Sequence, residues 1–425
     1  MSGPDWPPAR VQAALARRVE MRTLAVTGTN GKTTTTSMIA AIVAAASETP
    51  ALLTTLGSWV GTTLIPRPAE GTPRRAPPGL HQLEVIERAD AAGVRTVAVE
   101  MTSLALGRGL ARRWRPHVAV FTNLTRDHLD VHPSPEAYLA AKAQLFVHLA
   151  PSGAAVLNAD DPASALLREV LPASSRVFSY AVTQDHDDAD LVAHQIQCGF
   201  GSTSVELVDS PLARALGGRL TLRTTGRVHA ANALAAALAG LAAGFPPEAV
   251  VAGLAAFRPV AGRFELVSPP DDPDLPRVVV DYAHTPDGLA KTLATARELV
   301  PAGARVLCVF GCGGGRDRGK RPEMGAIADA SADGVWLTSD NPRSEAPEDI
   351  ATAVLSGVPT PHAAWVVEHD RARAIAAAVD AGGPGDVVVI AGKGHETTQL
   401  VGAVARPFSD RDVACAALAS RRPCR

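Results

Sequence analysis

The chain contains 425 residues, a length that predicts two or three domains. Hydrophobic residues make up 46% of it and charged residues 20%, which excludes a chain disordered throughout and a collagen-like or coiled-coil protein. With 41 Lys and Arg against 43 Asp and Glu, the net charge of -2 gives no general basic field for nucleic acid or an anionic membrane. No apolar run is long enough to span a bilayer and the N-terminus lacks an apolar signal core, so we expect a cytoplasmic protein.

Short β-branched or apolar segments alternate with Ala-rich helical patterns, which is typical of a parallel α/β sheet. The predicted strands are Leu24–Thr27, Thr96–Val99, Val118–Thr122, Ala154–Leu157, Val278–Asp281, Val306–Phe310, Gly334–Thr338 and Val387–Ala391. Between the fourth and fifth of them, four prolines within Ser268–Pro276 exclude a helix or a central strand. This stretch predicts a domain boundary near residues 263–276.

A candidate phosphate-binding loop follows the first predicted strand and opens a helix. It consists of Gly28, Thr29, Asn30, Gly31, Lys32, Thr33 and Thr34. Backbone N–H groups of such a turn point at phosphate oxygens, the lysine reaches the terminal phosphates and the first threonine hydroxyl binds Mg²⁺. The first glycine of the general pattern is replaced by Val26, and ATP cannot be distinguished from GTP on these residues.

Further polar residues stand where the next predicted strands end, the place where open α/β sheets bind ligands. Glu100 follows the second strand, and Asn123, Asp127, His128 and Asp130 follow the third. A carboxylate and a neutral imidazole beside a nucleotide loop are candidate ligands for a second divalent ion. Lys142 stands among alanines in a helical stretch, where a lysine ordinarily extends its amine to solvent.

Four loops in the C-terminal part also follow predicted strands and carry Gly, Arg, Lys, His and carboxylates. They are Asp281–Asp287, Phe310–Pro322, Ser339–Glu345 and Ala391–Glu396. One such loop alone would be ordinary turn chemistry, but four in succession predict a binding face.

These segments together resemble the Mur ligase family, and within it the MurE-like type that adds the third amino acid to UDP-N-acetylmuramoyl-dipeptide. The residues that carry the resemblance are Gly28–Thr34, Phe121–Asp130, Tyr138–Lys142, Asp281–Asp287, Asp340–Arg343 and Gly392–Glu396, in the family's order. The resemblance implies an ATP-dependent amide ligase, in which an acceptor carboxylate attacks the γ-phosphate and an amine then displaces phosphate from the acyl phosphate. Positioning and charge neutralisation dominate such a reaction.

The resemblance also implies roles for individual residues. Lys32, Glu100, His128 and Lys142 are the expected catalytic residues; Thr33, Glu100 and His128 are expected to hold two Mg²⁺ ions, joined by Lys142 if it is carbamylated. The expected ATP-binding residues are the phosphate loop with Asn232, Arg263, Asp281 and His284, although the family usually has Asn where this chain has His229, which leaves the adenine contact open. Arg316, Asn341, Arg343, Gly392 and Glu396 match a pattern that recognises diaminopimelate, because guanidinium groups suit a carboxylate and a glutamate suits a distal ammonium.

Three departures from the family fall on the acceptor side, where Thr102, Ser103 and Arg108 are the expected contacts. Only about two dozen residues precede Gly28, too few for the N-terminal domain that grips UDP in the family. The usual His-Thr-Thr-Pro-Asp is replaced by 74–78, Arg-Arg-Ala-Pro-Pro, and an imidazole is replaced by Leu104. We therefore expect a carboxylate acceptor other than UDP-muramoyl-dipeptide.

Alternative functions stay open at this point. They are a genuine MurE-type ligase, a folylpolyglutamate-synthetase-like ligase and a nucleotide-binding partner subunit without turnover; a conventional P-loop kinase or motor fits least. The expected fold is α/β, with a central P-loop ATPase domain of mainly parallel sheet at residues 1–264 and a C-terminal Rossmann-like domain at 265–425. The expected ligands are ATP, Mg²⁺, an amino acid and a carboxylate acceptor, with neither nucleic acid nor membrane; a partner protein that supplies the acceptor is compatible with the sequence.

Overall fold

Buried strands form two large sheets, and the helices that alternate with them in the chain cover the faces of those sheets. The structure, a computed structural model, describes residues 13–14, 16–18, 20–66, 80–128, 130–186, 188–269 and 272–421. Residues 74–78 and part of the Pro-rich stretch therefore lie outside the described residues. Within the described residues, no helix has both the length and the apolar character needed to cross a membrane.

The first sheet has 11 strands in the order β11-β10-β9-β8-β7-β6-β1-β5-β2-β3-β4. In chain order they are β1 Arg22–Thr27, β2 Pro50–Leu53, β3 Ser58–Val60, β4 Thr63–Ile65, β5 Thr96–Glu100, β6 Val118–Phe121, β7 Ala154–Asn158, β8 Arg176–Ala181, β9 Leu191–Gly199, β10 Ser202–Leu207 and β11 Arg219–Leu222. The strands from β9 to β2 pair in parallel, and antiparallel strands extend both margins.

Helices cover both faces of this sheet. They are α1 Lys32–Ala45, α2 Leu80–Ala91, α3 Ser103–Gly107, α4 Leu110–Trp114, α5 Pro135–Val147, α6 Ala163–Glu169, α7 Pro211–Ala215, α8 Arg227–Ala242 and α9 Pro247–Ala256. Successive side chains of a strand point to opposite faces, so Leu24 and Val26 of β1 pack in the core under α1, α8 and α9, whereas Ala25 packs in the core under α2 to α6.

The second sheet has six strands in the order β12-β13-β17-β14-β15-β16, and all its pairs are parallel except β12 with β13. Its strands are β12 Glu265–Leu266, β13 Arg277–Asp281, β14 Val306–Phe310, β15 Gly334–Leu337, β16 Ala364–Val367 and β17 Val387–Ala391. Helices α10 Pro286–Leu299, α11 Lys320–Ser331 and α12 Pro347–Leu355 pack on one face, and α13 Arg371–Ala381 and α14 Asp410–Ser420 pack on the other. In the chain, β17 is followed by a hairpin of β18 Thr398–Val401 and β19 Val404–Pro407, and then by α14.

Each of the predicted strands is present, with ends that differ by one residue at most except at β1, which begins two residues earlier. The predicted α/β class is therefore confirmed: the phosphate loop follows β1 of a mainly parallel sheet, and a second α/β layer with a mainly parallel sheet comes later in the chain. The division at residues 264 and 265 stays a prediction, with β12 already part of the second sheet.

Candidate active site

The turn between β1 and α1 has the backbone of a phosphate-binding loop. Gly28 has φ 154° and Gly31 has φ 84°, and each packs closely against a residue from a distant part of the same chain. A Cβ on Gly28 would lie 1.8 Å from Oγ1 of Thr122, and one on Gly31 would lie 2.3 Å from Oδ1 of Asn232. Glycine is therefore required at both positions, and the first turn of α1 is left accessible to an anion.

The loop is held in place by side chains that follow β6. The backbone N–H of Asn30 donates to Oδ1 of Asn123 at 2.9 Å, and Nδ2 of Asn123 donates back to the carbonyl of Asn30 at 3.1 Å. Nζ of Lys32 donates to the carbonyl of Thr29 at 2.8 Å, so the amine lies directly over the turn. Burial and nearby Arg263 lower the pKa of Lys32, against the opposing charges of Glu100 and Asp127.

Glu100, at the end of β5, connects the loop to the neighbouring strand. Its Oε2 accepts hydrogen bonds from Oγ1 of Thr33 at 2.8 Å and from the backbone N–H and Oγ1 of Thr55 at 3.0 and 3.1 Å. Two hard oxygen donors thus stand side by side at the end of the phosphate loop, as Mg²⁺ requires.

The residues present fit Mg²⁺ held jointly with a nucleotide. Among the described residues, no group of three or more His, Cys, Asp and Glu side chains forms a metal cage of its own. Mg²⁺ usually binds through one or two carboxylates together with substrate phosphates and water, which agrees with the Thr33–Glu100 pair.

Lys142 on α5 points into the protein rather than toward solvent. Its Nζ donates to the carbonyl of Gly28 at 2.6 Å and lies 4.1 Å from the ring centre of Tyr138, and its side chain is 1% exposed. Burial and the charge of Lys32 place its pKa well below the ordinary value, although Asp127 and Glu100 act in the opposite direction. Lys142 is therefore not a lysine that extends its amine to solvent, because Nζ is bonded to the backbone of the phosphate loop.

Asp127 brings two histidines from different sheets together. Its Oδ2 lies 3.4 Å from Nε2 of His128 and 3.9 Å from Nε2 of His284, which follows β13. Burial raises the pKa of Asp127, but His284, His128 and Lys320 outweigh burial and hold it below the ordinary value. Burial lowers the pKa of His128 and brings that of His284 to about 4, so both rings are neutral at neutral pH.

A cavity of about 390 Å³ lies where the two sheets face each other. Residues predicted to bind ATP line it from both sides: Thr29, Asn30, Gly31, Lys32, Thr33, Thr34, Asn232, Arg263, Asp281 and His284. A direct hydrogen bond crosses the cleft beside it, from Nδ2 of Asn30 to Asp287 at 2.9 Å, and within the second layer Nζ of Lys320 donates to the carbonyl of His284 at 2.7 Å. The structure thus brings the predicted nucleotide residues around one cavity except Gly28, which packs against Thr122 and does not line it.

The floor of the cavity is aromatic and basic on the side of the second sheet. The guanidinium carbon of Arg263 lies 4.4 Å from the ring centre of Tyr282, and that ring packs against His284 at 4.5 Å and His395 at 5.1 Å. Asp281 accepts hydrogen bonds from the backbone N–H of Phe264 and from Thr292, which fixes the start of this loop.

His229 lines the cavity beside Asn232, on the same face of α8. Its Nδ1 is buried without a hydrogen-bond partner among the described residues, and burial together with Arg263 lowers its pKa to about 4. A neutral imidazole both donates and accepts, so it satisfies the same kind of polar contact as the asparagine usual in the family.

The predicted amino-acid-binding residues form a cluster next to the cavity. Asn341 donates through Nδ2 to Oε2 of Glu396 at 2.9 Å, and Nζ of Lys393 donates to Oδ1 of Asn341 at 3.1 Å and to Oε2 of Glu396 at 2.8 Å. Arg343, with φ 53°, donates to the carbonyl of Gly314 at 2.9 Å. This cluster offers both a guanidinium and a carboxylate to a zwitterionic ligand.

Two other members of that predicted set have different surroundings. Nη1 of Arg316 lies 3.1 Å from Oδ2 of Asp130, across the cleft between the sheets. Gly392 has φ 116°, and a Cβ there would lie 2.7 Å from Oδ2 of Asp340, so its role is to let β17 approach that carboxylate.

The predicted acceptor residues are only partly gathered at the cavity. Thr102 lines it and caps α3, its Oγ1 accepting from the backbone N–H of Ala105. Ser103 instead pairs through Oγ with Nε2 of His132 at 3.0 Å, and Arg108 is exposed and does not line the cavity. Leu104 is 38% exposed, an apolar side chain at the surface beside this pair.

Several cavity residues were not among the predicted site residues. Asp127 and His395 stand inside the segments quoted for the resemblance, so the sequence carried their signal. Tyr282 also lines the cavity and lies inside the quoted segment Asp281–Asp287. Thr55 lies in none of the quoted segments, and it reaches Glu100 only because β2 pairs with β5. No local sequence pattern predicts that pairing.

Comparisons with known proteins agree with this geometry. Residues 26–240 match the Mur ligase middle domain, and residues 262–394 match the Mur ligase glutamate ligase domain. A UDP-N-acetylmuramoyl-L-alanyl-D-glutamate–2,6-diaminopimelate ligase of Thermosynechococcus vestitus is 43% identical over 400 residues, covering 94% of this chain and 77% of the relative. A ligase of the same name from Neisseria meningitidis is 39% identical over 409 residues, covering 93% and 77%.

Solved structures show the same relationship. A UDP-N-acetylmuramoyl-L-alanyl-D-glutamate–2,6-diaminopimelate ligase is 32% identical with a TM-score of 0.65, covering 98% of this chain and 84% of the other. Escherichia coli FolC in complex with ADP has a TM-score of 0.66 at 20% identity, covering 92% and 91%, which shows a shared fold. The chain belongs to the Mur ligase family of ATP-dependent, ADP-forming amide ligases.

Proposed function

We propose that this chain is a ligase of the diaminopimelate-adding type, which joins the amine of a diamino acid to the carboxylate of UDP-N-acetylmuramoyl-L-alanyl-D-glutamate. The observation that carries the proposal is the cavity between the two sheets, with Lys32, Glu100 and His128 on one side and Arg263 and His284 on the other. The names of the relatives support the standard acceptor in preference to a changed one.

In the first step, the phosphate loop orients ATP so that the acceptor carboxylate attacks the γ-phosphorus. The backbone N–H groups of Gly31 to Thr34 and the amine of Lys32 neutralise charge on the transferred phosphoryl group. Thr33 and Glu100 would hold Mg²⁺, with His128 as the candidate ligand of a second ion. When bound, Mg²⁺ stabilises negative charge on the phosphate oxygens.

In the second step, the diamino acid attacks the acyl phosphate from the side of the second sheet. Arg316 and Arg343 would hold its carboxylate, while Glu396, supported by Asn341 and Lys393, would accept its distal ammonium. Closure of the cleft excludes water and so protects the acyl phosphate from hydrolysis.

A changed acceptor remains the second candidate, because of one side chain. Leu104, exposed at the predicted acceptor side, cannot make the hydrogen bond of the imidazole that the family usually has there. Under this hypothesis, the ATP and amino-acid sides work as described, but the carboxylate comes from another molecule.

The decisive assay measures ADP release and the mass of the product with ATP, Mg²⁺ and diaminopimelate. UDP-N-acetylmuramoyl-L-alanyl-D-glutamate is compared with other carboxylates, including a folate with glutamate as the amine. Product with the UDP-linked acceptor supports the proposal, whereas turnover with a different carboxylate alone supports the second candidate. ATP binding without turnover on any carboxylate supports a partner subunit and contradicts both.

The matched variant for this assay is Lys32→Ala. Removal of the amine deprives the phosphoryl group of its charge partner, so kcat should fall by roughly 10²-fold or more. Arg214→Ala on α7, which removes an exposed ion pair with Asp209 away from the cavity, is the control expected to retain activity.

A further inference from the structure

His395 occupies the border between the nucleotide cavity and the amino-acid cluster. Its side chain lines the cavity, whereas the next residue, Glu396, is bonded to Asn341 and Lys393 in the cluster. A single peptide bond therefore joins the residue that lines the nucleotide cavity to the residue expected to hold the amino acid.

The backbone fixes this position closely. A Cβ on Gly262 would lie 2.2 Å from the backbone nitrogen of His395, and one on Gly394 would lie 2.8 Å from Cβ of Tyr282. The imidazole packs against the Tyr282 ring with centres 5.1 Å apart. The close approach of Gly262 thus fixes the backbone of His395, and the Tyr282 ring supports its imidazole from one side.

His395 also has hydrogen-bonding capacity that the described residues do not use. Its Nδ1 is buried and has no partner among them. The charged groups that face the ring are Arg263, Glu396 and Glu100; burial first, and Arg263 after it, lower the pKa of His395 against the two carboxylates. The ring is therefore neutral near pH 7, with one nitrogen able to accept a proton.

The other imidazoles that line the described cavity are placed for different tasks. His128 and His284 both face Asp127, and Nδ1 of His284 is in hydrogen-bond contact with the carbonyl of Tyr282 at 2.8 Å. His229 lies on α8, in the layer of the first sheet, whereas Glu396 and Asn341 belong to loops of the second sheet.

We propose that His395 is a catalytic residue that takes the proton from the incoming amine. This inference rests on the proposed function. The ammonium of the amino acid loses a proton to Nε2 of His395, the freed electron pair forms the C–N bond with the acyl carbon, and the C–O bond to phosphate then breaks. Phosphate leaves with the electron pair of the broken C–O bond and takes up the second proton of the attacking nitrogen, so that a neutral amide remains, and the proton on the imidazolium passes to solvent.

The test separates an amine that needs a base from a nucleophile that does not. Hydroxylamine is uncharged at neutral pH and traps an acyl phosphate as a hydroxamate. With His395→Gln, the kcat for diaminopimelate should fall by about 10²-fold, while hydroxamate formation from acceptor and ATP stays near the wild-type rate. In the wild type, kcat with the amino acid should fall more steeply toward acidic pH than hydroxamate formation does, because His395 is protonated, and this difference should disappear in the variant.

His395→Asn provides a second variant if the first does not fold, and the melting temperature of each variant is compared with the wild type. Equal losses with both nucleophiles, or no loss with the amino acid, overturn the inference while the proposed function stands. A wild type that releases no ADP with any acceptor and amine overturns the proposed function and this inference with it.

Discussion

Lys142 shows how one buried amine is made reactive. Its side chain is enclosed between Tyr138 and the phosphate loop, and the nearest charges include a second lysine, Lys32. Burial and that like charge disfavour the ammonium, so the pKa of Lys142 lies well below its ordinary value and the neutral amine is more populated than in an exposed lysine. Only a neutral amine reacts with CO₂, and the resulting carbamate carries a negative charge that Mg²⁺ attracts.

We therefore predict that Lys142 carries a carbamate in the presence of CO₂ and Mg²⁺. A carbamate resonance should appear in ¹³C NMR spectra of protein equilibrated with ¹³C-bicarbonate, and it should weaken as the pH falls because the amine becomes protonated. Lys142→Arg should lose the signal together with activity. Lys320→Arg is the matched control, since Lys320 is also buried and donates to a backbone carbonyl. An undiminished signal in Lys142→Arg would contradict the assignment.

Among the elements, the β18–β19 hairpin stabilises the amino-acid cluster from outside. Nε2 of Gln399 donates to the carbonyls of Ser339 and Asp340 at 3.3 and 2.8 Å, and the backbone of Leu400 bonds to both Asn341 and Arg343. The hairpin thus holds the loop after β15 in the shape that places the guanidinium and the amide.

Gln399→Ala should accordingly raise the KM for the amino acid and leave the KM for ATP unchanged. Loss of hydrogen bonds of ordinary strength corresponds to about 1 kcal/mol, or a fivefold change. Steady-state kinetics with each substrate varied separately measures both constants. Arg406→Ala, an exposed residue of the same hairpin, should alter neither. A matching rise in the KM for ATP would show that the hairpin supports the whole cleft.

Two loops face each other across the cleft through reciprocal ion pairs. Arg126 lies 3.3 Å from Asp317, and Arg316 lies 3.1 Å from Asp130, so each loop supplies one cation and one anion. Both arginines are about half exposed, and exposed pairs are worth only about 0.2–1 kcal/mol.

The Arg126–Asp317 pair lies outside the proposed amino-acid site. Reversal of one charge of this pair, with Arg126→Asp, should therefore change the KM for ATP by no more than about fivefold. The double variant Arg126→Asp with Asp317→Arg should recover most of that loss. Arg316→Ala should have a much larger effect on the KM for the amino acid, because it removes a proposed ligand contact as well. Failure of the double variant to recover would mean that the two residues do not act as a pair.

The sequence predicted the central parallel strands of the two sheets, but not the antiparallel strands at their edges or the separate hairpin. Runs such as Val278–Asp281 and Val387–Ala391 are buried on both faces, and their continuous apolar character identifies central parallel strands. The hairpin at 398–407 is largely exposed and has no continuous apolar run, so the sequence pattern does not predict its strands. The candidate site followed the same division: strand-end residues were recognisable, whereas contacts such as Asn30 to Asp287 depend on packing between distant segments.

At the scale of the whole molecule, the cleft buries ionisable groups that must stay uncharged. His229 is 6% exposed, and its pKa falls from the ordinary 6.5 to about 4. Between those two values, the unfolded chain binds a proton that the folded chain does not, so stability falls as the pH is lowered through this window. The contribution is present in full above the unfolded pKa. Asp281, whose pKa is raised by burial, acts in the opposite direction at lower pH.

We therefore predict that the free energy of unfolding depends on pH more strongly in the wild type than in His229→Asn. On going from about pH 7.5 to about pH 5, the wild type should lose on the order of 2 kcal/mol more unfolding free energy than His229→Asn, which has no imidazole to protonate. Urea unfolding followed by circular dichroism at both pH values measures this difference, and other groups that titrate in the cleft largely cancel in the comparison. Parallel pH dependences would mean that His229 is protonated as easily in the folded protein as in the unfolded chain. In that case the imidazole would face water, and a polar contact from His229 to the nucleotide would lose its basis.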